Sequence, residues 1–127
     1  MTQHDLPADL RRFILTSIPS VPYLEAVLLL RGDPAHEWSA ADVARRLYLP
    51  EQRAAELLQQ LSSAGIAVAG ATGGCQYRPA TPELGEMLDR AAAQYAADLV
   101  GVSGLIHSTV DKKARQFADA FRWRKDD

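Results

Sequence analysis

The side chains most able to do chemistry in this chain are scattered, and their spacing excludes most of what they would otherwise suggest. His107 and Asp111 stand four apart, a separation that faces them on a helix, and Ser108 adjoins His107. Consecutive helical residues point different ways and a serine nucleophile needs an oxyanion hole, so the trio reads as a surface pair and not as a hydrolytic triad. His4, His36 and His107 lie far apart and lack paired cysteines or acids at ligand spacing, so no metal is expected. Thr72-Gly73-Gly74 lacks the Lys-Ser/Thr that completes a phosphate-cradling loop and suits a turn instead. The single cysteine, Cys75, has no basic side chain beside it in sequence to activate it and is expected to be a buried, inert strand thiol. No enzyme activity and no cofactor are expected.

Charge narrows the choice of partners. The 127 residues carry a net charge of −2, which argues against a strongly basic nucleic-acid coat protein. The one basic excess lies in residues 111–127, where six Lys and Arg stand against four Asp. Bases at the end of a helix are ordinarily explained by its dipole and by solubility. With 47% hydrophobic and 24% charged residues, the composition is that of a folded globular protein, and the length suits a single domain over 1–127. No apolar run approaches the length of a membrane span, and the N-terminal stretch has no secretory h-region, so the expected setting is cytoplasmic with no membrane partner.

These residues must be positioned by elements whose limits the sequence marks. Leu6, Leu10, Phe13, Ile14 and Ile18 recur at three- and four-residue steps and stop at Pro19, predicting a short N-terminal helix. Ser20 is a plausible N-cap for a second helix with Pro22 in its first turn and Tyr23, Leu24, Val27, Leu28 and Leu30 on a wide apolar face, ended by Gly32 and Asp33-Pro34. Trp38 precedes Ser39 at the position of a hydrophobic staple, and Ser39 with Asp42 resembles a capping box opening a third helix. Leu49-Pro50 interrupts that helix, because a residue before proline is pushed out of the α region. A fourth helix buries Ala54, Leu57, Leu58 and Leu61 and ends at Gly65. Ile66–Ala69 and Cys75–Arg78, around a glycine-rich turn, predict a hairpin. From Thr81-Pro82 one long apolar stripe continues through Phe121, with Gly101 and Gly104 predicting a kink or break near 101–108.

The stretch WSAADVARRLYLPEQRAAELLQQLSSAGIAVAGATGGCQYRPAT resembles a winged helix-turn-helix domain of the kind found in bacterial transcriptional regulators such as the MarR and ArsR families. The resemblance rests on a capped short helix with small Ala44, the turn at Leu49, a helix closing in Leu58, Leu61 and Ala64-Gly65-Ile66, and a two-stranded wing. It implies a mainly α fold with a small β-wing: an N-terminal helix (1–19), a winged helix-turn-helix (20–80) and a long C-terminal helical extension (81–127). It also implies a recognition helix over about Pro50 to Ser63, with Gln52 and Arg53 as candidate base readers, Glu56 and Gln60 as further candidate DNA contacts on its outward face, and Arg45, Arg46 and Arg78 as candidate backbone contacts on double-stranded DNA. The helix offers one Arg against two Glu, and the wing tip Ala71–Gly74 offers no base. The same neutral surface therefore also suits a protein-binding module, with Gln52, Arg53, Glu56 and Gln60 as its first contacts. The C-terminal stripe resembles the dimerisation helices of such regulators, with Leu99, Val102, Ile106, Val110, Phe117, Phe121 and Trp123 as the candidate homodimer seam.

Overall fold

Short polar side chains open three helices of this chain, at Ser39, Thr81 and Asp98, and left-handed residues close two, at Tyr48 and Gly65. The computed structural model describes residues 6–108. Among them the fold is mainly helical with one small two-stranded antiparallel sheet: α1 (Ala8–Ser17), α2 (Val21–Arg31), α3 (Ala40–Leu47), α4 (Glu51–Ser63), β1 (Ala67–Ala69), β2 (Cys75–Tyr77), α5 (Pro82–Ala97) and α6 (Leu99–Ser108). No single helix among the described residues is long and apolar enough to cross a membrane. The described residues divide into two compact units, one of residues 22–92 and one of residues 6–21 with 93–108.

In the 22–92 unit, α2 has no fully exposed residue. Tyr23, Leu24, Ala26, Val27 and Leu30 are all buried, which leaves it little polar surface. α3 starts where the sequence predicts: the Ser39 hydroxyl accepts the Asp42 N–H at 3.1 Å. α3 and α4 then end by the same device. At the end of α4, the Ile66 N–H reaches the Leu61 carbonyl at 2.9 Å and the Gly65 N–H reaches Ser62 at 3.2 Å, with Gly65 at φ 78°. This is a Schellman closure, and glycine accommodates it without a Cβ penalty. At the end of α3, the Leu49 N–H reaches the Ala44 carbonyl at 3.0 Å. There the left-handed residue is Tyr48, at φ 58° and ψ 49°. The expected break at Leu49-Pro50 thus begins one residue earlier, in a conformation that tyrosine rarely adopts.

The inward face of α4 is Ala54, Leu57, Leu58 and Leu61, all buried as expected. The hairpin pairs Ala67 with Tyr77, Val68 with Gln76 and Ala69 with Cys75. A further bridge joins Trp38 to Cys75, with reciprocal N–H to carbonyl bonds of 2.8 Å each. The segment before α3 is thereby stitched to the second hairpin strand, and a Cβ on Gly74 would lie only 2.7 Å from the Trp38 carbonyl oxygen. α5 opens at Thr81, whose hydroxyl accepts the Leu84 N–H at 3.1 Å.

The other unit holds α1, the end of α5 and α6. Its buried apolar side chains are Leu10, Ile14, Ile18, Tyr95, Val102 and Ile106. The break expected near 101–108 lies earlier, at Asp98. Its carboxylate accepts the Gly101 N–H at 3.0 Å, and its carbonyl accepts the Val102 N–H at 3.0 Å. An aspartate N-cap, and not the paired glycines, therefore sets the interruption, and 99–108 is continuous helix. Two candidate dimer residues are corrected here: Val102 and Ile106 are only 2% and 1% exposed, so they belong to the chain's own core. Leu99 remains on the surface at 55% exposure, joined by Val100 at 80%. Val110, Phe117, Phe121 and Trp123 lie outside the described residues, as does Asp111.

The left-handed Tyr48 carries an expected outcome. An L-residue there costs about 1–2 kcal/mol, and its side chain is 93% exposed, so removing it forfeits no burial. Glycine's greater freedom in the unfolded chain returns roughly 0.5–1 kcal/mol of that gain. Tyr48→Gly is therefore expected to stabilise the protein by about 0.5–1 kcal/mol, read as a higher urea midpoint at unchanged m-value.

Candidate functional site

Burying Ala54, Leu57, Leu58 and Leu61 turns the opposite row of α4 outward. Gln52, Glu56, Gln59 and Gln60 are all exposed, as the period of the helix requires. Pro50 stands at the N-cap without a side-chain cap, leaving the first amides of α4 without that partner. Arg53 is half-buried, with Nη1 3.5 Å from Glu56 Oε1. Tyr48 projects from the turn between the two helices.

Two of the remaining candidate cations are also held by their own chain. Arg45 Nη2 lies 2.5 Å from Asp42 Oδ1, an i,i+3 pair on α3. Arg46 places its guanidinium 5.5 Å from the Trp38 ring centroid, within cation–π range. Arg78 is exposed at the base of the hairpin, its N–H donating to the Ile66 carbonyl at 2.8 Å. Arg45 and Arg46 meet in a cleft of about 250 Å³ that they line with Asp33, His36, Trp38 and Asp42. Gln52, Arg53, Glu56 and Gln60 are not part of that cleft; they form the separate outer row of α4.

A second, wider groove of about 540 Å³ lies between α4 and the hairpin, lined by Trp38, Ala40, Ala55, Leu58, Gln59, Ser62, Ser63, Gly73 and Cys75. Cys75 is half-buried, not buried, because it lines this groove; its Sγ lies 3.6 Å from Ser62 Oγ. Trp38 is buried as the staple position predicts, and it lines both depressions. Its indole N–H is buried without a hydrogen-bond partner. Such a group costs about 1–3 kcal/mol, which its ring packing must offset.

Sequence reasoning passed over Glu37. Its carboxylate accepts the Thr72 N–H at 2.7 Å, the Thr72 hydroxyl and the Gly74 N–H at 3.0 Å, clasping the hairpin turn from the segment before α3. No local signal marks this role, because the partners are 35 and 37 residues away. The hydroxyl of Thr72 first, and then the amide of Gly74, hold the Glu37 carboxyl below its usual range. Tyr77, on the paired strand, has its phenol pushed up chiefly by burial, with Asp89 adding to the effect. Asp89 itself receives Arg31 Nε at 2.9 Å.

Comparison with protein-family models, characterised proteins and solved structures finds no match to the chain.

The Glu37 clasp fixes a pH response. Because its folded pKa is lowered, its contribution is complete above the ordinary carboxylate range and is lost as pH falls through the folded value. Glu37→Gln, which keeps the shape and removes the charge, is expected to speed amide exchange at Thr72 and Gly74 at neutral pH. In the unaltered protein the same two amides are expected to lose protection on acidification, before the α4 amides do.

Proposed function

We propose that residues 20–80 form a winged helix-turn-helix and that the protein is a DNA-binding transcriptional regulator acting as a homodimer. The observation that carries this reading is the pairing of α3 with α4 through the Tyr48-Leu49-Pro50 turn, with the inner row of α4 buried and its outer row in solvent. A helix presented in this way, followed by a hairpin, matches what major-groove entry needs, namely a rigid rod with exposed polar side chains near its N-terminus. Gln52 and Arg53 stand in its first turn as base readers. Arg45, Arg46 and Arg78 are the phosphate contacts, assisted by the uncapped amides of α4. Leu99 stays in the proposed dimer seam and Val100, exposed beside it at the start of α6, takes the place of Val102 and Ile106.

One observation favours a second reading, a protein-binding module on the same face. Arg45, Arg46 and Arg53 are engaged by Asp42, Trp38 and Glu56, so few cations face outward without a partner. In that case Gln52, Glu56 and Gln60 contact a partner protein.

Two measurements separate these readings and test the assembly. For DNA binding, anisotropy titrations are expected to show a shallow salt dependence, since each neutralised phosphate contributes only about −0.9 to the slope of log K against log salt. Arg53→Ala is expected to relax base preference at a cost of about 1–3 kcal/mol, and Arg46→Ala to weaken all sequences alike. No binding to any duplex at low salt leaves the protein-binding reading in place. For assembly, light scattering at roughly tens of micromolar is expected to give a dimer, a range suited to weak association. Val100→Glu is expected to give a folded monomer, and a monomeric unaltered chain removes the dimer.

A further inference from the structure

The cleft of α3 holds one titratable base among fixed charges. His36 Nε2 lies 3.9 Å from Asp42 Oδ2, while the other oxygen of that carboxylate holds Arg45 at 2.5 Å. The imidazole packs edge-on against Trp38, with ring centroids 4.4 Å apart at 77°. Arg46 lies over the same indole. Asp33 completes the lining, and its carbonyl accepts the His36 N–H at 3.0 Å, which holds the loop in place. The hairpin pairs with Trp38 through Cys75, which lines the neighbouring groove, and the Glu37 carboxylate is turned to Thr72 and Gly74. The charged groups facing His36 are therefore Asp33 from its own loop and Asp42, Arg45 and Arg46 from α3. With a neutral imidazole, two carboxylates balance two guanidinium groups. With an imidazolium, the cleft carries one positive charge in excess, and the single Asp42 carboxylate is shared between two cations.

We infer that His36 is a proton-operated switch on the cation supply of this face: when it is protonated it draws Asp42 away from Arg45, and Arg45 becomes free to meet an anionic partner. The inference rests on the DNA-binding reading for its partner, the phosphate backbone. Histidine changes charge between about pH 5 and 8, the range in which a cell can use it. Arg45 is already largely in solvent and is restrained chiefly by this one carboxylate, so releasing it demands no rearrangement of the core. His36 is thus a positioning residue, acting through Asp42.

The experiment uses two readouts. The chain has two tryptophans, and Trp123→Phe leaves Trp38 as the sole indole emitter. A protonated imidazole against an indole quenches its fluorescence, so emission is expected to fall on acidification and to stay level when His36→Gln is added. In parallel, anisotropy with a labelled mixed-sequence duplex is run at about pH 5.5 and about pH 7.5, on either side of histidine's ordinary range. The unaltered protein is expected to show a steeper salt slope at the lower pH by about 0.9 per subunit, the signature of one added phosphate contact. His36→Gln is expected to abolish that difference, and Asp42→Asn to show the steeper slope at both pH values. Emission that ignores pH, or a slope change that persists in His36→Gln, overturns the switch. A normal emission titration with no duplex bound at either pH overturns the DNA-binding reading and, with it, the role of Arg45 toward phosphate.

Discussion

The two hydrogen bonds between Trp38 and Cys75 join three parts of the 22–92 unit: the entry to α3, the second hairpin strand and the floor of both surface depressions. A three-residue antiparallel pair has too few ladder bonds to persist alone in water. The bridge gives the hairpin a third, if minimal, neighbour and fixes it against the start of α3. The indole is then held by its own backbone, so Arg46 and His36 have a rigid surface to pack on. Removing the backbone registration at Trp38 would disturb the hairpin, the α3 cleft and the α4 groove together. Gly74 is the accommodation this requires, since a side chain there would collide with the Trp38 carbonyl.

Electrostatically the same unit is economical. Four of its cations are matched locally: Arg31 with Asp89, Arg45 with Asp42, Arg53 with Glu56 and Arg46 with the face of Trp38. Pairs this exposed contribute little to stability, in the range of about 0–1 kcal/mol each. Their significance is in what they withhold. A guanidinium that already has a partner keeps fewer N–H donors for an anion, so a count of arginines overstates the cations this face offers.

Much of this architecture is legible in the residues. Ser39 and Thr81 announce helix starts because their hydroxyls are short enough to reach an amide three residues on, and both do so. Gly65 announces a helix end because left-handed backbone is inexpensive only there. The outer and inner rows of α4 follow from a 3.6-residue period with four apolar side chains. What the residues conceal has a common cause in competition between local rules. Tyr48 takes a conformation its side chain disfavours because the closure of α3, from the Leu49 N–H to the Ala44 carbonyl, calls for a left-handed residue there. Asp98 interrupts the C-terminal stripe because its carboxylate competes for an amide, a stronger local effect than the two glycines nearby. Val102 and Ile106 fall on the predicted apolar stripe, yet periodicity alone does not distinguish a stripe that meets the chain's own core from one that meets a partner. Glu37 and the α3 cleft were invisible for a simpler reason: their contacts join residues that only the folded chain brings together.

The Glu37 clasp also has a consequence for the order in which the chain organises itself. Each of its bonds closes a loop of 35 or 37 residues that contains all of α3 and α4. Closing so long a loop in an unstructured chain costs entropy that grows as about (3/2)RT ln n. Once the two helices have formed and packed, most of that entropy has already been surrendered, and the carboxylate meets the turn at little further expense. The clasp is accordingly expected to close after α3 and α4 have packed against each other. If so, a substitution there should speed unfolding while leaving the folding rate nearly unchanged, since contacts made after the transition state affect only the unfolding rate.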